Sequence, residues 1–162
     1  MQEPSEQDDG RHDFDFSHGR WRVGNRRLRA RLCGCRDWDQ FEARASCRPV
    51  LGGLGNTDEF CSAWQGGLLG MTLRLFNPQA RQWSIYWASN RAGELEAPVT
   101  GGFADGVGTF HGLDRHQGRV VLARFVWSEI GTDSAHWQQA LSPDGGVTWE
   151  TNWHMHFTRE AA

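Results

Sequence analysis

At 162 residues and 38% hydrophobic content, the chain is long enough for one domain with a proper core, and its net charge of −3 supplies no global basic field for nucleic acid. No apolar run approaches the ~20 residues of a membrane-spanning helix. All 17 basic residues are arginines, which excludes Schiff-base and lysine general-base chemistry. Residues 1–12 are polar and acidic and read as a disordered tail. The start lacks the positive and apolar regions of a secretory signal, so a cytoplasmic location is the expectation.

Asp13-Phe-Asp-Phe16 places two aromatics ahead of the first strand and reads as a short helical plug. Trp21 and Val23 then face one way, with Arg20 and Arg22 the other. Arg26, Arg27, Arg29 and Arg31 continue as a solvated stripe around Leu28, Ala30 and Leu32, and a bulge near Gly24-Asn25 would reconcile the two phases. Residues 41–47 alternate cleanly, with Phe41, Ala43, Ala45 and Cys47 against Glu42, Arg44 and Ser46. A weaker strand follows Gly55 and carries Asp58 and Glu59 near its start. Leu69, Met71, Leu73 and Leu75 share a face of the next, and Asn77-Pro78 turns the chain into 83–87. Short strands over 99–103 and 107–111 flank Asp105-Gly106; strands over 120–127 and 134–141 follow.

The last strand is entered through Ser142-Pro-Asp-Gly-Gly-Val-Thr-Trp149. Asp144-Gly145-Gly146 is a turn sequence, because Asp bonds backbone two residues on and glycine accepts positive φ. Beyond it Trp149, Thr151, Trp153, Met155 and Phe157 fall on one face by strict alternation, and His154 and His156 on the other. The octapeptide resembles the Asp-box of sialidase propellers at Ser142, Asp144, Gly146, Thr148 and Trp149. A single copy implies turn geometry and not a propeller.

Nine or ten short strands with regular turn signals and no interior helix indicate an all-β, up-and-down antiparallel β-barrel, with residues 13–160 as one domain. A two-sheet sandwich is the alternative. Cys33, Cys35, Cys47 and Cys61 lack zinc-ribbon spacing and read as small apolar fillers in or near strands; no metal is expected.

Gly19-x-Trp21 at the head of the first strand and the run of hairpins resemble the calycin (lipocalin-like) barrels. Asp13-Phe-Asp-Phe, the stretch from Arg48 to Glu59, and the stretch from Asp144 to Trp153 further resemble an uncharacterised bacterial lipocalin-like family. The resemblance implies the fold and supplies no function. Nitrobindin, a related barrel, holds haem through a histidine near its C-terminus, a distance matched by His154 and His156, although Val23 replaces a glycine of that family's signature.

A barrel of this size has room for one small ligand. Interior candidates by alternation are Trp21, Trp83, Trp87, Trp149 and Trp153, as cavity lining or as packing. Arg124 lies among Val120, Leu122 and Val126. It either points inward, pairing with Asp58, Glu59 or a ligand carboxylate, or outward, leaving Val121, Phe125 and Trp127 as the inner face. His111, beside Val107 and Thr109, is the candidate interior histidine, and Asn152 with Glu150 sits at the rim. No nucleophile–base–orienter motif appears. The expected function is binding of a small, largely apolar ligand, either neutral or anionic, with no cofactor required. The alternatives are a non-covalent enzyme of cyclase or isomerase type, using His111 or Asp58/Glu59 with Arg124, and a haem protein. The expected partner is a small molecule, without nucleic acid or membrane, and a homodimer stays open.

Overall fold

A computed structural model describes residues 8–161. Ten strands follow in order: β1 (Gly19–Leu28), β2 (Trp38–Val50), β3 (Gly55–Ser62), β4 (Leu69–Asn77), β5 (Gln82–Ser89), β6 (Val99–Ala104), β7 (Val107–His116), β8 (Arg119–Ser128), β9 (Ser134–Ser142) and β10 (Glu150–Arg159). Each pairs antiparallel with its sequence neighbours, and β1 pairs with β10 from Trp21↔Arg159 to Arg27↔Trp153. That last pairing closes an up-and-down barrel and leaves no free sheet edge, which disposes of the sandwich. Among the described residues no helix is long and apolar enough to cross a membrane.

Alternation sets which side chains face in. In β2, Ala43, Ala45 and Cys47 are buried while Glu42, Arg44, Ser46 and Arg48 are exposed. The β6–β7 hairpin turns on Asp105 and Gly106, both at positive φ, as a two-residue loop between twisted strands requires. β6 also lies too close to β7 at Gly101 for any side chain, since a Cβ there would overlap the Thr109 carbonyl.

The N-terminal segment fills the lower end of the barrel. Phe14 precedes the 3-10 turn Asp15–Ser17 and is fully buried, meeting Trp83 at 5.0 Å and Phe103 at 4.9 Å edge-on and stacking on Phe110 at 5.6 Å. The Trp83 indole donates to the Gly10 carbonyl at 2.9 Å, and that of Trp21 to Ser17 at 2.8 Å. From β10, Arg159 donates to the carbonyls of His18 (2.6 Å) and Phe16 (2.8 Å) and stacks on Trp21 at 4.1 Å, tying the plug to the last strand. The expected plug is thus present. Of the expected tail, residues 1–7 lie outside the described residues.

Two expectations of phase are corrected, and the shared face of β4 is found outside. β1 has no bulge at Gly24-Asn25: its pairing with β2 runs unbroken from Gly19↔Cys47 to Leu28↔Trp38, so Arg27 follows Trp21, Val23 and Asn25 inward. The bulge lies instead on β10 between Thr151 and Trp153. It leaves Trp153 and Met155 inside but turns Trp149 outside, where its ring covers the Arg124 guanidinium at 4.4 Å. On β4 the apolar row is the outer one: Leu69 and Met71 are exposed, while Thr72, Arg74 and Phe76 are buried. The final hairpin has the expected turn chemistry. Asp144 accepts from the Ser142 hydroxyl and from both the amide and hydroxyl of Thr148, at 2.6–2.9 Å.

Since Phe14 is the keystone of the lower end, Phe14→Ala is expected to cost about 3–5 kcal/mol, and Phe14→Leu distinctly less. Urea unfolding followed by tryptophan fluorescence checks this; a loss below about 1 kcal/mol would show the plug to be dispensable.

Candidate functional site

Above the plug the barrel is hollow. A cavity of about 410 Å³ opens at the upper end, beside the loops 29–37, 63–68 and 90–98. Its wall is aromatic: Phe60 from β3, Trp87 from β5, Phe125 from β8, Trp137 from β9 and Trp153 from β10. They interlock edge-to-face, with Trp137 on Trp153 at 5.6 Å and on Phe125 at 5.0 Å, and Phe60 on Trp87 at 5.9 Å. The indole nitrogens of Trp21, Trp64, Trp83 and Trp153 all have acceptors. Those of Trp87 and Trp137, which line the open cavity, have none among the described residues.

The floor is an ion pair. Arg74 is 4% exposed and donates to Asp58 at 2.9 Å and to Asn56 at 2.8 Å, with its guanidinium over the rings of Phe14 (5.1 Å) and Trp127 (5.6 Å). A guanidinium so far from water needs such a pairing. Asp58 also lines the cavity, and among the described residues its carboxylate accepts a hydrogen bond from Arg74 alone.

The mouth carries a cation of a different kind. Arg27 sits between two indoles, 4.7 Å from the Trp64 ring and 4.2 Å from the Trp153 ring, and has no carboxylate within ion-pair distance among the described residues. Burial, aided by the charges of Arg31 and Arg91, brings its pKa down to about 9. It stays protonated at neutral pH, and the charges of Glu96 and Asp39 offset only part of that depression. Burial lowers the Arg31 pKa as well. Opposite, Glu96 is held above the usual carboxylate range by desolvation first and by Asp114 second. The mouth therefore pairs an arginine cluster with two crowded carboxylates, all lining the cavity.

The expected site residues fall into three groups. Asp58 and Trp87 line the cavity. Trp21 and Trp83 are buried but serve the plug below it, and Asn152 is sealed under the β10 bulge, accepting from Gln139 at 2.8 Å. Glu59, His111 and Arg124 correct the inward expectation. Glu59 lies on the odd, outer register of β3 and is exposed; His111 pairs with Arg124 across β7 and β8 on the outer face. Arg124 thus takes the second of its two orientations, with Val121 and Trp127 in the buried row and Phe125 on the cavity wall. Alternation alone did not reveal Arg27, because an assumed bulge reversed it, nor Arg74. Unbroken counting from Trp21 through Asn25 would have placed Arg27 inside.

His154 and His156 face outward beside His136. The rings of His136 and His154 are 5.2 Å apart with nitrogens 2.9 Å apart, and those of His136 and His156 stack at 4.6 Å. Neither histidine of β10 faces the cavity. Of the four cysteines, all free, only Cys47 is buried.

The fold and site define a lipocalin-like barrel, closed below and open above over a cavity. No family model matches the chain, and no curated protein does. Among solved structures, the S-type phycobiliprotein lyase CPES from Guillardia theta is similar, with a TM-score of 0.65 over 98% of this chain and 99% of that one, at 12% sequence identity. At that identity the likeness establishes the shared barrel.

The histidine stack fixes an acid response. Burial lowers the pKa of His136, aided by His156 and opposed by Glu129, and lowers that of His154, aided by His136, Arg26 and His156. The unfolded chain therefore binds these protons more readily, so stability is full above about pH 6.5 and falls as pH drops below it. Asp39 and Asp144, held low by hydrogen bonds, add their loss only nearer pH 4. Thermal melts of the wild type and of His136→Gln/His154→Gln between pH 7.5 and 5 check this: the double variant is expected to show a flatter profile, and an identical slope would refute the assignment.

Proposed function

We propose that the protein binds a small, largely apolar, anionic ligand in the upper cavity, with the aromatic wall holding its body and Arg27 its negative group. The observation that carries this reading is Arg27 itself. A guanidinium held between Trp64 and Trp153, with no carboxylate in ion-pair contact among the described residues, is a fold-stability cost that an anionic ligand would offset. The open N–H groups of Trp87 and Trp137 offer further donors along the wall. A volume of about 410 Å³ lies within the roughly 300–1,000 Å³ of small-molecule sites. The similarity to a phycobiliprotein lyase supports a barrel that handles a small ligand and does not specify which.

A pair of probes separates the aromatic from the anionic half of this reading. 8-Anilinonaphthalene-1-sulfonate is flat and anionic, and N-phenyl-1-naphthylamine is its uncharged analogue. Both are expected to bind saturably and quench tryptophan fluorescence. Arg27→Met is expected to weaken the sulfonate by about tenfold or more, equivalent to about 1.4 kcal/mol, and to leave the neutral probe nearly unchanged. Equal weakening of both would remove Arg27 as the anion anchor, and no saturable binding of either would remove the cavity as a ligand site.

A further inference from the structure

The outer face of β1 and β2 carries an arrangement that the barrel does not require. Arg20 and Arg22 point outward from β1, and Arg44 and Arg48 from β2, all four exposed. Arg22 and Arg44 are direct cross-strand partners, so two like charges stand opposite each other where side chains are about 5 Å apart at Cβ. Within this block Arg44 alone has an ion pair, a long one to Glu160 at 3.5 Å. Arg20, Arg22 and Arg48 make no side-chain hydrogen bond or ion pair with any described residue. Glu42 and Glu59 bound the block on either side without forming an ion pair with it.

Opposed like charges in a sheet oppose folding, and among the described residues only the long Arg44–Glu160 pair offsets these. Four exposed arginines thus share this face, although the chain as a whole has net charge −3. We propose that the outer face of β1 and β2 is a docking surface for an acidic protein partner, taken as an extended segment with carboxylates on alternate residues. The spacing suits that occupant. Same-face side chains on β1 and on β2 repeat about every 6.6 Å, the repeat at which an extended chain presents its own alternate side chains. Each guanidinium offers a fork of donors matched to a carboxylate. The closed barrel has no edge for strand addition, so recognition here is by side chains. Net acidity and the absence of aromatic side chains within the block disfavour a nucleic acid, which would gain from a global basic field and stacking platforms.

The test uses the full chain and a fluorescein-labelled dodecaglutamate peptide, read by fluorescence anisotropy in low salt and again at higher ionic strength. Binding that weakens with salt is expected, and Arg22→Ser/Arg48→Ser is expected to weaken it by about tenfold or more. The double variant should melt at the wild-type temperature or above, since it removes unpaired like charges, and should bind the cavity probes unchanged. Absence of peptide binding at low salt, or undiminished binding by the double variant, would overturn the proposal. So would tighter binding of a labelled oligothymidylate or of phosphatidylserine vesicles through the same two arginines. Self-association of the wild type that the double variant loses, seen by analytical ultracentrifugation, would reassign the face to a second copy of the chain.

Discussion

A ring of ten strands encloses more volume than its inward side chains can fill, and the architecture follows from how that volume is occupied. At the lower end the chain solves the problem with itself. The segment carrying Phe14 and Phe16 enters the ring and completes an aromatic layer with Trp83, Phe103, Phe110 and Trp127. Arg159, from the last strand, holds that segment by its carbonyls. The plug and the strand pair that closes the ring are therefore one unit, and a cavity survives only in the upper half.

Arginine suits both interior positions for reasons lysine would not meet. Arg74 separates plug from cavity by using one edge of its guanidinium for Asn56 and Asp58 and its flat face for Phe14 and Trp127. An ammonium is a strongly hydrated point charge and could not satisfy both demands. Arg27 uses the same flatness twice, against Trp64 and Trp153. Cation–π contact with two indoles recovers part of the lost hydration but does not neutralise the charge.

Fold and wall were readable in the sequence because both rest on period two and on turn chemistry. Glycine and Asp turn signals delimited the strands, and alternation put Trp87 and Trp153 inside. What alternation cannot register is a bulge, since one extra residue reverses every side chain beyond it. The arginine run suggested a bulge in β1 that is not there, which expelled Arg27 from the interior. The real bulge in β10 went unsuspected, which drew Trp149 in. The β4 strand left its inner row unread for another reason. Its apolar row, Leu69, Met71 and Leu73, looks like a core face, yet the interior there needs Arg74 and Thr72 to build a polar floor. Polar groups demanded by the inside of a barrel are visible only once the opposing strands are in place. His111 and Arg124 show the same limit, because they pair with each other on the outside and their phase depends on where β7 and β8 begin.

The two arginine sets differ in what their charge does to the molecule. On the outer face of β1 and β2 each guanidinium keeps most of its hydration, so the repulsion between Arg22 and Arg44 is screened and its effect on folding is small. At the mouth, Arg27 is partly buried between two rings and less screened, and this burial lowers its pKa. An anion reaching Arg27 would meet a charge already desolvated and already oriented by two rings. Most of the cost of preparing the site is then borne in folding and not in binding. The same reasoning explains why the plug matters at a distance. By fixing the lower ends of β1 and β10, it fixes the register that brings Trp153 opposite Arg27 at the mouth.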